Sequence, residues 1–323
     1  MSIVVPSEVT PMHVCHRPPL PNASPLPTNR TRMPRIIATV ESDGEGGTMR
    51  ESWALVLGGG GLAGIAWETG ILHALAEQGF DPTSCALMVG TSAGATVGGQ
   101  LAAGTPTGEM FARQAEPARQ TRELTPDISP EDMATLWEAF TAQADADAEE
   151  RGRAIGALAI AAHTVPEAVR REVIAARLPE HRWPDKPFVV TAVDAETGRL
   201  RTFDGSDGVG VVDAVAASSA VPGIWPPVTI GGVRYIDGGV RTSTNADLAA
   251  EHRRVLILAP MADPALEAQV AALRERSRVE VVAPDDASLV AFGLNPLDPA
   301  VRAPCAQAGY AQGKRIDAGG FWL

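Results

Sequence analysis

The sequence predicts an α/β protein, a mostly parallel central sheet flanked by helices in an α/β/α arrangement. Three observations carry that expectation. Short runs rich in Val, Ile and Leu alternate with stretches of helical spacing from residue 53 onward. Two of those runs end in glycine-rich turns that open helices. Apolar residues make up 45% of the 323 residues and charged residues 20%, enough for a sheet covered on both faces.

The elements follow in order. Residues 1–34 hold eight of the 26 prolines and show no sustained period. Residues 1–48 therefore read as a disordered, Pro-rich tail, with Met33 and Met49 as alternative starts. The tail lacks an apolar run after a basic start, so it does not read as a secretory signal. A single domain is expected over 49–323. WALVL (53–57) is a strand, IAWETGILHALAEQG (65–79) a helix closed by Gly79, ALMVG (86–90) a buried strand and ATVGGQLAAG (95–104) a helix of small residues. Later strands are expected at 188–194, 199–203, 233–237, 254–260 and 279–284, with helices at 264–276 and 298–314. Residues 105–185 are Ala-rich and helical, without an evident strand, and read as a helical insertion. Such an insertion builds a lid or pocket as readily as it merely packs.

Composition excludes some classes. A net charge of −12 argues against nucleic acid as a partner. No apolar run approaches the ~20 residues that span a bilayer; the strongest, 154–162, is too short. Cys15, Cys85 and Cys305 are odd in number and lack metal spacing, which suits reduced thiols and a cytoplasmic chain. No cofactor or metal is expected, and activity should be metal-independent.

GTSAG (90–94) sits between a strand and a helix. This is the nucleophile-elbow pattern, in which Gly90, Ala93 and Gly94 leave room around a strained Ser92. The following helix aims its N-terminal N–H groups at charge developing on the hydroxyl. A serine also needs a base and an oxyanion hole. LVLGGGGLAG (55–64) exposes backbone N–H groups after a strand. Its G-x-G-x-x-G spacing fits a dinucleotide site poorly, since the acid expected downstream could only be Glu77 or Asp81, neither after a clear second strand. None of His13, His16, His73, His163, His181 and His252 lies in the last 70 residues, where a hydrolase triad would place its base. YIDGG (235–239) ends a strand in Asp237, an acid that either points into a site or caps a turn.

GGGGLAG, GTSAG and DGG in this order resemble the patatin-like phospholipases. GIAWETGIL, ASSAVPGIWPPV (217–228) and RTSTNADLA (241–249) agree with that resemblance, which covers 53–260 well and the helical middle less so. The resemblance implies a Ser–Asp dyad, with Ser92 as nucleophile and Asp237 as its base. It implies an oxyanion held by the N–H groups of Gly59, Gly60 and Gly61, supported by Gly58, Gly64, Gly90, Gly94, Gly238 and Gly239. The implied activity is serine acyl hydrolysis of a lipid or other acyl ester, of phospholipase A, lysophospholipase or lipid esterase type. The chain departs from the family at Ala63, where a basic residue is usual; this favours a neutral ester or lysolipid. Trp67, Trp137, Trp183 and Trp225, with the 154–162 run, are candidates for an acyl channel or for plain core. The apolar ending GGFWL is compatible with transient membrane contact, peripheral to a cytoplasmic location. Two other classes stay open: a Ser-His-Asp esterase or acyltransferase using His163, His181 or His252, and a non-catalytic lipid- or nucleotide-binding protein.

Overall fold

The computed structural model describes residues 52–126, 138 and 146–319. The tail at 1–48, Trp137 and the ending Phe321-Trp322-Leu323 lie outside them. The strands are β1 (Trp53–Leu57), β2 (Leu87–Gly90), β3 (Phe188–Asp194), β4 (Leu200–Phe203), β5 (Val228–Ile230), β6 (Val233–Asp237), β7 (Arg254–Leu258) and β8 (Arg278–Val282). The helices are α1 (Gly61–Glu77), α2 (Ala93–Ala102), α3 (Thr107–Ala115), α4 (Ala148–Ala161), α5 (Glu167–Arg177), α6 (Val211–Ser218), α7 (Pro264–Arg274), α8 (Asp286–Phe292) and α9 (Arg302–Gly313).

All eight strands form one sheet in the order β5-β6-β3-β2-β1-β7-β8, with β4 also on β3. The centre, β3-β2-β1-β7-β8, is parallel. β1 lies in the middle, Val56 pairing with Val89 on one side and Ile257 on the other. Its alternation explains the layering. Trp53, Leu55 and Leu57 enter one apolar cluster with α1, α2, α3 and α6. Ala54 and Val56 enter another with 246–249 and α7. Each fully buried aliphatic side chain contributes roughly 1.5–3 kcal/mol, so the central strands are the stiffest place on which to mount a site.

The edge from 200 to 237 is antiparallel: β4 and β6 on β3, and β5 on β6. The sequence reading placed β4 and β6 but not their direction, and it missed the three-residue β5. Gly231 and Gly232, both at positive φ (59° and 83°), join β5 to β6 in a two-residue hairpin that L side chains resist. Over its described part the stretch 105–185 holds α3, α4 and α5. In α4, Ile155 and Ala159 pack against Val193, Ile236 and Val240 of the sheet side, so the 154–162 run is helix packing. Among the described residues no helix is long and apolar enough to cross a membrane.

Candidate active site

The chain's glycine-rich turns and its aspartate meet at one end of the sheet. β1 runs into the glycine loop, β2 into Ser92, and β6 ends at Asp237. Ligands of open α/β sheets bind at the carboxyl ends of the parallel strands.

Ser92 occupies a sharp strand-to-helix turn at φ 53° and ψ −107°, a conformation that L residues reach only when their surroundings impose it. Those surroundings are explicit. The Ser92 N–H donates to Ser218 Oγ at 2.8 Å, and Ser219 Oγ donates to the Ser92 carbonyl at 3.4 Å. The Gly94 N–H donates to the Gly58 carbonyl at 2.9 Å, tying the elbow to the glycine loop. A Cβ on Gly94 would sit 2.1 Å from the Leu57 carbonyl oxygen. The sequence ASSAVPG thus supplies two serines that hold the elbow, a role that no local pattern announces.

Asp237 lies at 6% exposure. Its carboxylate accepts the Gly239 N–H at 2.7 Å and is close enough to the Ser92 side chain to feel its pull. Burial pushes its pKa up to about 6, against the opposing pull of Ser92, Gly239 and the Arg170 charge. Buried Asn245, at φ 50°, spans the two halves of the site. Its amide lies within 3.0–3.3 Å of Thr91 Oγ1, Thr191 Oγ1 and the carbonyls of Gly238 and Thr242.

In the glycine loop the Gly58 N–H donates to Leu258 (3.0 Å) and the Gly59 N–H to Ser243 (2.8 Å). Gly59 was expected as an oxyanion donor, but its N–H is spent on this link between loops. The N–H groups of Gly60 and Gly61 carry no such bond, and neither does that of Ala93 at the start of α2. Gly61, Ala93 and Ser92 line one small cavity. The sequence reading did not name the Ala93 N–H, although it opens the helix directly after the elbow serine.

None of the four described histidines lines this cavity. His73 stacks near Phe111 and Tyr310, His181 is exposed, and His252 is held low by burial near the other end of β7. Among the described tryptophans only Trp225 lines it; Trp67 is core and donates to Gln312 at 2.9 Å, and Trp183 donates to Val209 at 2.6 Å. Ala63 is fully buried within the main apolar cluster, so a lysine there would have to bury its ammonium. Cys85 and Cys305 are buried thiols with pKa values pushed up to about 12 by burial, unreactive as nucleophiles.

With this geometry in view, a model of the patatin-like phospholipases matches residues 55–250. The chain belongs to the patatin-like phospholipase family. The match contains the glycine loop, the Ser92 elbow and the Asp237 turn of the patatin-like domain. Among solved structures the domain is similar to VipD from Legionella pneumophila, at 13% identity and TM-score 0.44, over 81% of this chain and 66% of that one. It is also similar to the type III effector ExoU, at 18% identity and TM-score 0.36, over 82% and 54%. A third is the ExoU–SpcU complex of the Pseudomonas aeruginosa type III secretion system, at 17% identity and TM-score 0.35, over 82% and 52%. The chain thus spans about half to two thirds of the length of these structures. No curated protein matches it in sequence.

One buried acid escaped the sequence reading. Glu68 of α1 is fully buried, and neither of its carboxyl oxygens has a hydrogen-bond partner of good geometry. Burial pushes its pKa well above the usual carboxylate range; the Gly58 N–H, already committed to Leu258, pulls only weakly the other way. The available signal was a lone charge inside the apolar run IAWETGIL. The folded state keeps the Glu68 proton at pH values where the unfolded chain has lost it. Stability therefore falls as pH rises above about 4.5. Glu68→Gln is expected to stabilise by about 1–3 kcal/mol at pH 8 and by little at pH 4. Thermal unfolding of both proteins at the two pH values checks this; an equal shift at both would remove the buried-proton explanation.

Proposed function

We propose that this protein is a serine acyl hydrolase that cleaves an acyl ester of lipid type through a Ser92–Asp237 dyad. The observation that carries the reading is the convergence of the strained Ser92 elbow with a buried carboxylate, Asp237, the two turns tied together by the Asn245 amide, which reaches both Thr91 and Gly238; burial raises the Asp237 pKa to about 6. A base with that pKa is largely ionised at neutral pH yet basic enough to accept a proton in the transition state.

Asp237 takes the Ser92 proton as Oγ attacks the ester carbonyl. The oxyanion is held by the N–H groups of Gly60, Gly61 and Ala93, with the N-terminus of α2 behind it. Collapse expels the alcohol, which leaves with the proton from Asp237, and an acyl-Ser92 ester remains. Asp237 then deprotonates water, which attacks the acyl carbonyl. The carboxylic acid departs and Ser92 regains its proton. The absence of every described histidine from the cavity favours this dyad over a triad. A cytoplasmic, peripherally membrane-associated setting is compatible with the reading.

Ser92→Ala is expected to abolish hydrolysis of p-nitrophenyl esters and labelling by a fluorophosphonate, with the label on wild type found at Ser92 by mass spectrometry. Wild-type hydrolysis with the label at another serine would defeat the assignment. Labelling without hydrolysis of any ester would point to the transferase alternative.

A further inference from the structure

The cavity above Ser92 contains a cation that the dyad does not use. Arg170 of α5 lines it, is 5% exposed, and makes no hydrogen bond or ion pair among the described residues. Its Nε and Nη1 are buried without partners. Its guanidinium stacks on Trp225 at 3.9 Å from the ring centroid. Trp225, 3% exposed and lining the same cavity, has a buried indole N–H that also lacks a partner. All three orphaned groups are donors.

The nearby acids are already committed. Glu123 receives two bonds from Arg177, at 3.0 and 2.6 Å. Asp237 accepts the Gly239 N–H and belongs to the proposed dyad. Burial, and then Arg177, lower the Arg170 pKa to about 9, which still leaves it charged at neutral pH. A buried, unpaired guanidinium costs several kcal/mol, which an acyl chain would not offset and an anion would. The stack on Trp225 fixes the plane of the fork, the arrangement suited to two-point binding of a carboxylate or phosphate.

We propose that Arg170 and Trp225 form an anion subsite beside Ser92, and that the preferred ester carries a carboxylate or phosphate close to its scissile bond. The substrate half of this proposal rests on the hydrolase reading above; the anion site itself does not.

The test uses matched esters: p-nitrophenyl butyrate against mono-p-nitrophenyl succinate, and monobutyryl glycerol against monobutyryl glycerol phosphate. Wild type should prefer the charged member of at least one pair, and the pair with the larger preference names the anion. Arg170→Met should lower the charged-over-neutral ratio of kcat/KM at least about tenfold, mainly through KM, and Arg170→Lys should restore part of it. Inorganic phosphate should slow fluorophosphonate labelling of wild-type Ser92, a readout that survives if the Met variant fails to fold. An unchanged ratio, or labelling indifferent to phosphate and succinate, would overturn the subsite. Calorimetric binding of phosphate or succinate that Arg170→Met abolishes, in a protein that hydrolyses no ester, would keep the anion site and sink the hydrolase reading instead.

Discussion

Asp237→Asn is expected to cost about 10²–10⁴-fold in kcat while making the protein more stable at neutral pH. The side chain keeps its shape. Its amide oxygen can still accept the Gly239 N–H now held at 2.7 Å, and its NH2 can face Ser92. What disappears is the proposed base and the buried charge. Asp237 titrates at about 6 in the fold against 3.8 when free. Between those values the folded state holds a proton that the unfolded chain has released. Raising the pH through this window therefore weakens the wild type, and the loss stays constant above pH 6. At 1.36 kcal/mol per pKa unit the penalty is at most about 3 kcal/mol, so the variant should gain about 1–3 kcal/mol at pH 7.5 and almost nothing at pH 3.5. In the wild type, kcat/KM should rise about tenfold per pH unit below about 6 and level off above it, because only the carboxylate accepts the Ser92 proton. Denaturant unfolding across pH and a pH–rate profile check both halves. A variant destabilised at neutral pH would mean that Asp237 is held by more than the bonds described.

Gly94→Ala should prevent folding or cost more than about 3 kcal/mol. The added methyl would meet the Leu57 carbonyl carbon and oxygen at 2.3 and 2.1 Å. β1 cannot yield, because it is hydrogen-bonded to β2 and β7 along its whole length. Gly79→Ala is the control. Gly79 has positive φ but open space around it, so that change should cost only about 1 kcal/mol of backbone strain. Soluble yield and thermal unfolding of the two variants separate packing from conformation; equal losses would mean that the elbow relaxes more than its neighbours suggest.

How much of this was legible beforehand varies from residue to residue. The elbow was, because its requirement is local: a strained turn after a strand admits only small residues on either side of Ser92. β1, β2 and β7 were, because strands buried on both faces read as continuous apolar runs. The antiparallel edge was not, since β5 spans three residues and strand direction leaves no mark in composition. Gly59 looked like its neighbours until the Ser243 carbonyl claimed its N–H.

The sequence by itself determined the alternation of strand and helix, the turn that exposes Ser92 and the acid at the end of β6. Each follows from sterics and periodicity acting over a few residues. Only the tertiary structure decided that Glu68 is sealed under the glycine loop, that Ser218 and Asn245 fasten the elbow, and that Arg170 of α5 faces the cavity with its Nε and Nη1 unspent. A charge does not carry its surroundings in its own neighbourhood of the chain. Whether it is solvated, paired or left unpaired depends on which distant segments pack against it, and that is settled only when the sheet brings them together.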